Sequence, residues 1–154
     1  INTGFGPLCD TKISKEETRK LQENLLISHA VGVGNPISKE ISKLMLIAKL
    51  HALAKGFSGI SLETFERILF FLEKDIIPVV PEQGSVGASG DLAPLSHLFL
   101  PLIGKGDVWF GGQIKPAIEA LNHYNIQPIE LQAKEGLVLI NGTQFILAHA
   151  IYGL

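Results

Sequence analysis

The chain has 154 residues, 46% of them apolar, enough to bury the core of one domain or of part of a larger one. Its 13 Lys and Arg against 15 Asp and Glu give a net charge of −2 with no basic run, which argues against an electrostatic grip on nucleic acid or on a membrane surface. The single cysteine, Cys9, cannot close an internal disulfide, and the longest apolar stretch, Leu92 to Ile103, is interrupted by Pro94, Ser96, His97 and Pro101, well short of the roughly 20 residues of a spanning helix.

A first helix is predicted from Ser14 to about Ala30, because Ser14 and Glu17 spell a capping box and Leu21, Leu25 and Ser28 recur at helical spacing. A second should begin near Ser38, bury Ile41, Leu44, Met45, Ala48 and Ala52, and stop near Gly56, where glycine suits a left-handed cap. Ser61 can cap a third, with Leu62, Phe65, Ile68, Leu69 and Leu72 as its apolar stripe and Pro78 as its limit. These three are expected to pack as antiparallel neighbours. From Ile77 to Gly90 the prolines and glycines read as a structured loop. Asp91 then offers an N-cap for a helix from Leu92 to about Ile103, its positive end facing the loop. A short extended turn around Val108 to Gln113, a helix near Pro116 to Asn122 and an unassigned segment around Ile129 to Ile140 lead to Asn141-Gly142. The stretch from Phe145 is apolar on all faces, the chain opens at Ile1 without Met or a signal pattern, and both ends read as truncated, so that residues 1–154 form a single fragment of a larger protein.

The loop Gly84-Ser85-Val86-Gly87-Ala88-Ser89-Gly90-Asp91 carries the chemistry. It lacks the Gly-Lys-Ser/Thr ending of a phosphate-binding loop, and Asp91 stands where a nucleophile elbow needs glycine. A plain glycine-rich turn is one reading. The other uses the amide nitrogen of Gly90 to attack the carbonyl of Ala88, a five-membered closure that small residues permit. Loss of water from the ring and from Ser89 then leaves an exocyclic methylene conjugated with a carbonyl, an electrophile that ordinary side chains do not supply. Asp91 could organise charge around the cyclising peptide, or could simply cap its helix.

The run from Gly84 to His97, Gly-Ser-Val-Gly-Ala-Ser-Gly-Asp-Leu-Ala-Pro-Leu-Ser-His, resembles the signature of the aromatic amino acid ammonia-lyases. Ile1-Asn-Thr-Gly-Phe-Gly6 and Ala133-Lys-Glu-Gly-Leu-Val-Leu-Ile-Asn-Gly-Thr-Gln144 agree with the same family, so the resemblance covers essentially the whole chain. It implies a mainly α fold, the N-terminal part of the aspartase/ammonia-lyase-like helical architecture with short extended segments. It further implies a methylidene-imidazolone formed from Ala88, Ser89 and Gly90, no metal, and a cytoplasmic homotetramer whose sites draw on three subunits. Histidine-selective members resemble Ser28-His29, where tyrosine-selective ones show His-Leu and phenylalanine-selective ones Phe-Leu. An imidazole at His29 can hydrogen-bond the imidazole of L-histidine, whereas Phe would leave a buried ring nitrogen unpaired at roughly 1–3 kcal/mol. The implied reaction is conversion of L-histidine to urocanate and ammonia, the first step of histidine degradation. The rivals are a tyrosine or phenylalanine lyase or an aminomutase of the same family, and a non-catalytic relative whose loop never cyclises.

Asn141 matches a family asparagine beside the ring, against the competing reading of a plain Asn-Gly turn; Asp91 and Gln144 are supporting candidates, and Asn2 and His97 weaker ones. His51, His123 and His149 show no ligand spacing and read as structural. The family's tyrosine base and its carboxylate-binding arginine fall outside residues 1–154, so the piece alone is expected to be inactive. One local departure stands out: Lys49-Leu50-His51 replaces what is more often Arg-x-Asn, with no catalytic consequence assigned.

Overall fold

The computed structural model describes residues 14–86 and 90–154. It is mainly helical: α1 (Lys15–His29), α2 (Lys39–Leu53), α3 (Leu62–Glu73), α4 (Leu92–Phe99), α5 (Ala117–His123), α6 (Glu135–Ile140) and α7 (Gln144–Tyr152), with a 3-10 turn over Leu100–Ile103 continuing α4. Strands β1 (Val33–Pro36) and β3 (Pro81–Gln83) form one antiparallel pair, and β2 (Ile77–Pro78), β4 (Asp107–Phe110) and β5 (Gln113–Pro116) a small sheet in the order β2-β4-β5.

The helix starts follow their local chemistry. Ser14 accepts from the Glu17 amide while Glu17 accepts from the Ser14 amide, completing the capping box; Ser38 and Ser61 cap α2 and α3 through the amides of Ile41 and Thr64. Gly56 is left-handed at φ +76°, as its place past α2 predicts. The helix from Asp91 ends as α-helix at Phe99, because Pro101 cannot donate to the next turn and the chain tightens to 3-10 geometry before a left-handed Gly104.

The buried faces differ from those predicted. In α1 the buried seam is Thr18, Gln22 and Leu26, while Leu21 and Leu25 are half-buried and Ser28 is exposed. The cause is a polar contact: the Gln22 side-chain oxygen accepts from the Gly136 amide of α6 at 3.0 Å, and a Cβ on Gly136 would lie 3.0 Å from the Gln22 backbone oxygen. In α2 the buried set is Ile41, Ser42, Met45, Leu46, Lys49, Leu50 and Leu53, with Ala52 exposed and Leu44 and Ala48 half-buried. In α3 it is Thr64, Ile68 and Phe71, with Leu62 and Leu69 exposed. Nor do α1, α2 and α3 form one antiparallel set: α2 packs on α3 and on α7, whereas α1 packs on α4 and α6.

The segment predicted as a loop from Ile77 to Gly90 contains β2 and β3, whose partners lie far away in sequence. The extended turn predicted near Val108 is a full hairpin, β4 to β5, turned by Gly111 and Gly112 at φ +59° and +76°, the signs a two-residue hairpin turn of this hand requires. The core gathers around α4, with Leu95, Leu98 and Phe99 buried against Leu26, Met45, Phe71, Ile77 and Leu121. Among the described residues, no helix is long and apolar enough to cross a membrane.

Candidate active site

Two sequence motifs are brought together by the β1–β3 pair. Because Val33 lies opposite Gln83, the chain just before β1 runs beside the chain just after β3. A Cβ on Gly84 would lie 3.3 Å from the Gly32 Cα, and one on Gly32 would lie 3.1 Å from His97 Nε2, so both glycines answer to close approach. The segment that follows His29 therefore packs directly on the start of the 84–91 loop.

His29 closes α1. Its Nδ1 lies 2.9 Å from the Leu25 carbonyl oxygen, which can only accept, so Nδ1 donates there and in the neutral ring Nε2 is the accepting nitrogen. Ser28 donates to the same carbonyl at 3.3 Å and lies 3.2 Å from His29 Nδ1. Together these contacts fix the tautomer and restrict the ring.

His97, on α4, accepts the Gly32 N–H at Nε2 over 3.0 Å, joining the loop that leaves α1 to the helix that follows the glycine-rich segment. Burial pushes its pKa below the usual 6.5. The folded state thus disfavours the proton that the unfolded chain takes up below about 6.5, so the stability His97 contributes is complete above that pH and is lost as pH falls through the lowered folded value. Melting temperature should accordingly decline on mild acidification, and His97→Gln, whose amide oxygen still accepts from Gly32, should flatten that decline. An identical slope in both proteins would remove His97 from this role.

Ala88 and Ser89 lie outside the described residues, as does Asn2. Gly90 is buried, takes φ +79°, and accepts at its carbonyl from the Val86 amide at 2.8 Å, so the chain ahead of the tripeptide is bonded to the tripeptide's last residue. Asp91 is fully buried, yet makes no side-chain bond to its own helix. Its backbone, at φ −108° and ψ 15°, lacks the extended form that capping uses. Its carboxylate instead accepts from Ser85 Oγ at 2.9 Å on one oxygen, and from the amides of Phe145 and Ile146 at 2.9 and 3.1 Å on the other. Asp91 therefore caps α7, whose own N-cap residue, Thr143, makes no side-chain bond, and its charge faces the positive end of that helix.

That contact carries the Asn141–Gln144 turn to the end of the 84–91 loop. Asn141, exposed and extended at ψ 118°, ends α6; Gly142 follows at φ +155°, a conformation that favours glycine, and a Cβ there would also displace the Gln144 side-chain amide. Gln144 Oε1 is itself buried without a hydrogen-bond partner among the described residues. Lys49, Ser58, Val138, Asn141 and Gln144 help line a cavity of about 220 Å³. Lys49 donates to the carbonyl oxygens of Val138 at 2.7 Å and Asn141 at 2.8 Å, and burial lowers its pKa to about 8. The sequence shows Lys49 only as part of a departure from Arg-x-Asn with no catalytic consequence assigned; the further signal was a lysine at the i+4 and i+3 positions from Met45 and Leu46 on an apolar helix face.

No hydrogen bond among the described residues joins Ser28 or His29 to Asn141 or Gln144; their link runs through the 84–91 segment and the packing of α1 on α6. His51 is exposed, His123 stacks edge-on with Phe110 and Tyr124, and His149 bonds the Phe145 carbonyl. Among the described residues no group of three or more His, Cys, Asp or Glu is placed to hold a metal ion.

Comparison with known proteins gives the same motifs a context. The family model described as aromatic amino acid lyase matches residues 1–154. The histidine ammonia-lyase of Bacillus subtilis (strain 168) is 54% identical over 151 residues, 98% of this chain and 30% of that protein. That of Myxococcus xanthus is 52% identical over 148 residues, 96% of this chain and 29% of its own. Among solved structures, a histidine ammonia-lyase from Trypanosoma cruzi superposes with a TM-score of 0.85 at 43% identity, and a tyrosine aminomutase from Streptomyces globisporus with 0.84 at 37%; each match covers 96% of this chain and 28% of the other. The chain thus spans about 30% of the length of the curated relatives it matches.

Proposed function

The chain belongs to the aromatic amino acid lyase family, and from that membership we propose that it is part of a longer carbon–nitrogen lyase that converts L-histidine to urocanate and ammonia. The observation that carries this reading is the buried Asp91 carboxylate, which bonds Ser85 on one side and the start of α7 on the other. It fastens the Gly90 end of the loop to the turn bearing Asn141 and Gln144, as a site assembled from both motifs requires.

Cyclised Ala88, Ser89 and Gly90, as methylidene-imidazolone, supplies an electrophilic carbon able to capture an amine. The described end of the tripeptide fits such a closure: Gly90 holds a left-handed φ that other residues adopt at a cost, and its carbonyl is already fixed by Val86. Ala88, Ser89 and Gly90 are the catalytic residues of the proposal, with Asn141 offering an amide to the polar atoms of ring or substrate. His29, with Nδ1 fixed on Leu25, presents Nε2 to accept the imidazole N–H of the substrate, and Ser28 restrains it. Asp91 and Gln144 support the turn. Removal of the β-proton requires a general base, and the substrate carboxylate a cation, both assigned to other parts of the longer protein. The exposed Ile146, Leu147 and Ile151 of α7 are apolar surface that suits assembly into the proposed cytoplasmic homotetramer.

His29→Phe in the full-length lyase tests the substrate. The ratio of kcat/KM for L-histidine over L-phenylalanine should fall by about tenfold to a hundredfold, since the imidazole N–H loses its acceptor while an apolar ring gains a neighbour. An unchanged ratio would reject His29 as the residue that reads the substrate. Ser28-His29 also disfavours the tyrosine and phenylalanine alternatives, whose members resemble His-Leu and Phe-Leu there.

A further inference from the structure

We propose that Lys49 is a positioning residue for Asn141, holding the turn between α6 and α7 in the shape the site needs; this rests on the role given to Asn141 above. Lys49 is 3% exposed on a helix whose neighbouring buried positions are Met45, Leu46, Leu50 and Leu53. An uncharged side chain would satisfy packing there, and burying an ammonium without a counter-ion is unfavourable. Among the described residues no carboxylate forms an ion pair with it. Its partners are backbone oxygens at the end of α6, where the helix dipole places partial negative charge.

Capping alone would need only Val138. The second bond goes beyond the helix, to the carbonyl of Asn141, whose own amide donates to Leu137 at 3.0 Å. With both the N–H and the C=O of Asn141 held, its backbone dihedrals are set, and with them the direction in which the amide side chain leaves the chain. Gly142, which follows, has no Cβ to restrain it, so the Lys49 bond holds Asn141 directly, ahead of Phe145, where Asp91 holds the start of α7. Lys49 also lines the cavity shared with Asn141 and Gln144. It would act through Asn141 without touching substrate.

The test compares wild type, Lys49→Met, Lys49→Arg, Asn141→Ala and the Lys49→Met/Asn141→Ala pair in the full-length lyase. Lys49→Met keeps the packing volume but removes the donor, and kcat for L-histidine should fall by about tenfold or more while KM moves by less than about threefold. Lys49→Arg, which can donate to both carbonyls, should recover most of the loss. On an Asn141→Ala background the same change should cost nothing more, because the residue it positions is gone. A kcat within about twofold of wild type, or full additivity with Asn141→Ala, overturns the proposal. Should Lys49→Met fail to fold, Lys49→Gln, a neutral residue with a shorter donor, takes its place in the same comparison. If wild type makes no urocanate, the reading of the site fails instead, and hydrogen exchange of the segment 138–144 decides for Lys49: faster exchange in the Met variant supports its hold on the turn, equal exchange refutes it.

Discussion

Ser89→Ala should abolish turnover, lowering kcat by on the order of a thousandfold or more, the scale seen when a covalent catalytic group is removed. The mature ring has already shed the Ser89 hydroxyl, so the substitution leaves a methyl where the methylidene would form, a small change in volume, and the melting temperature should stay near that of wild type. Intact mass supplies the independent readout. Wild type should weigh two waters less than its sequence requires, whereas the variant, lacking the hydroxyl that leaves as the second water, cannot reach that mass. Activity within about tenfold of wild type would refute covalent chemistry at this residue.

Asp91→Ala should produce the largest loss of stability. The carboxylate accepts three hydrogen bonds in a fully buried position. Its removal leaves the amides of Phe145 and Ile146 and the hydroxyl of Ser85 without their acceptor and takes the negative charge from the start of α7. Unsatisfied donors and lost charge-assisted bonds together should cost about 3 kcal/mol or more. Asp91→Asn, which keeps one accepting oxygen, should fall between the two, and Ser85→Ala should cost least, having lost one bond. Denaturant unfolding checks the order. Asp91→Ala as stable as Ser85→Ala would show that the bonds to α7 contribute little, and the link between the loop and the Asn141 turn would lose its physical basis.

These two residues mark what could be read along the chain. Ser89 sits in a motif whose chemistry is local, because the ring closes between residues two apart. Ser14, Ser38 and Ser61 were legible for the same reason: a cap and its amide are three residues apart. Asp91 was legible as a cap, but the helix it caps begins more than 50 residues later, and nothing in Asp-Leu-Ala-Pro states that. Ile41 and Met45 of α2 are buried as predicted, but the full buried faces of α1 and α2 differ from the apolar periodicity, which ignores polar side chains that become buried on distant backbone groups. Gln22 meets Gly136, and Lys49 meets Val138 and Asn141. The strands β2 and β3, of two and three residues with prolines, have no alternating pattern to detect, and only their partners near residues 109 and 33 make them strands. The association of Gly32 with Gly84, which brings the segment after His29 against the start of the loop, belongs to the same non-local class.

The central claim is tested most directly by following product absorbance when the full-length lyase is given L-histidine, L-tyrosine and L-phenylalanine separately, with Ser89→Ala as the control. Urocanate from L-histidine alone, absent in the control, is the result this account predicts; cinnamate or coumarate as the main product, or urocanate formed equally well by the control, would contradict it.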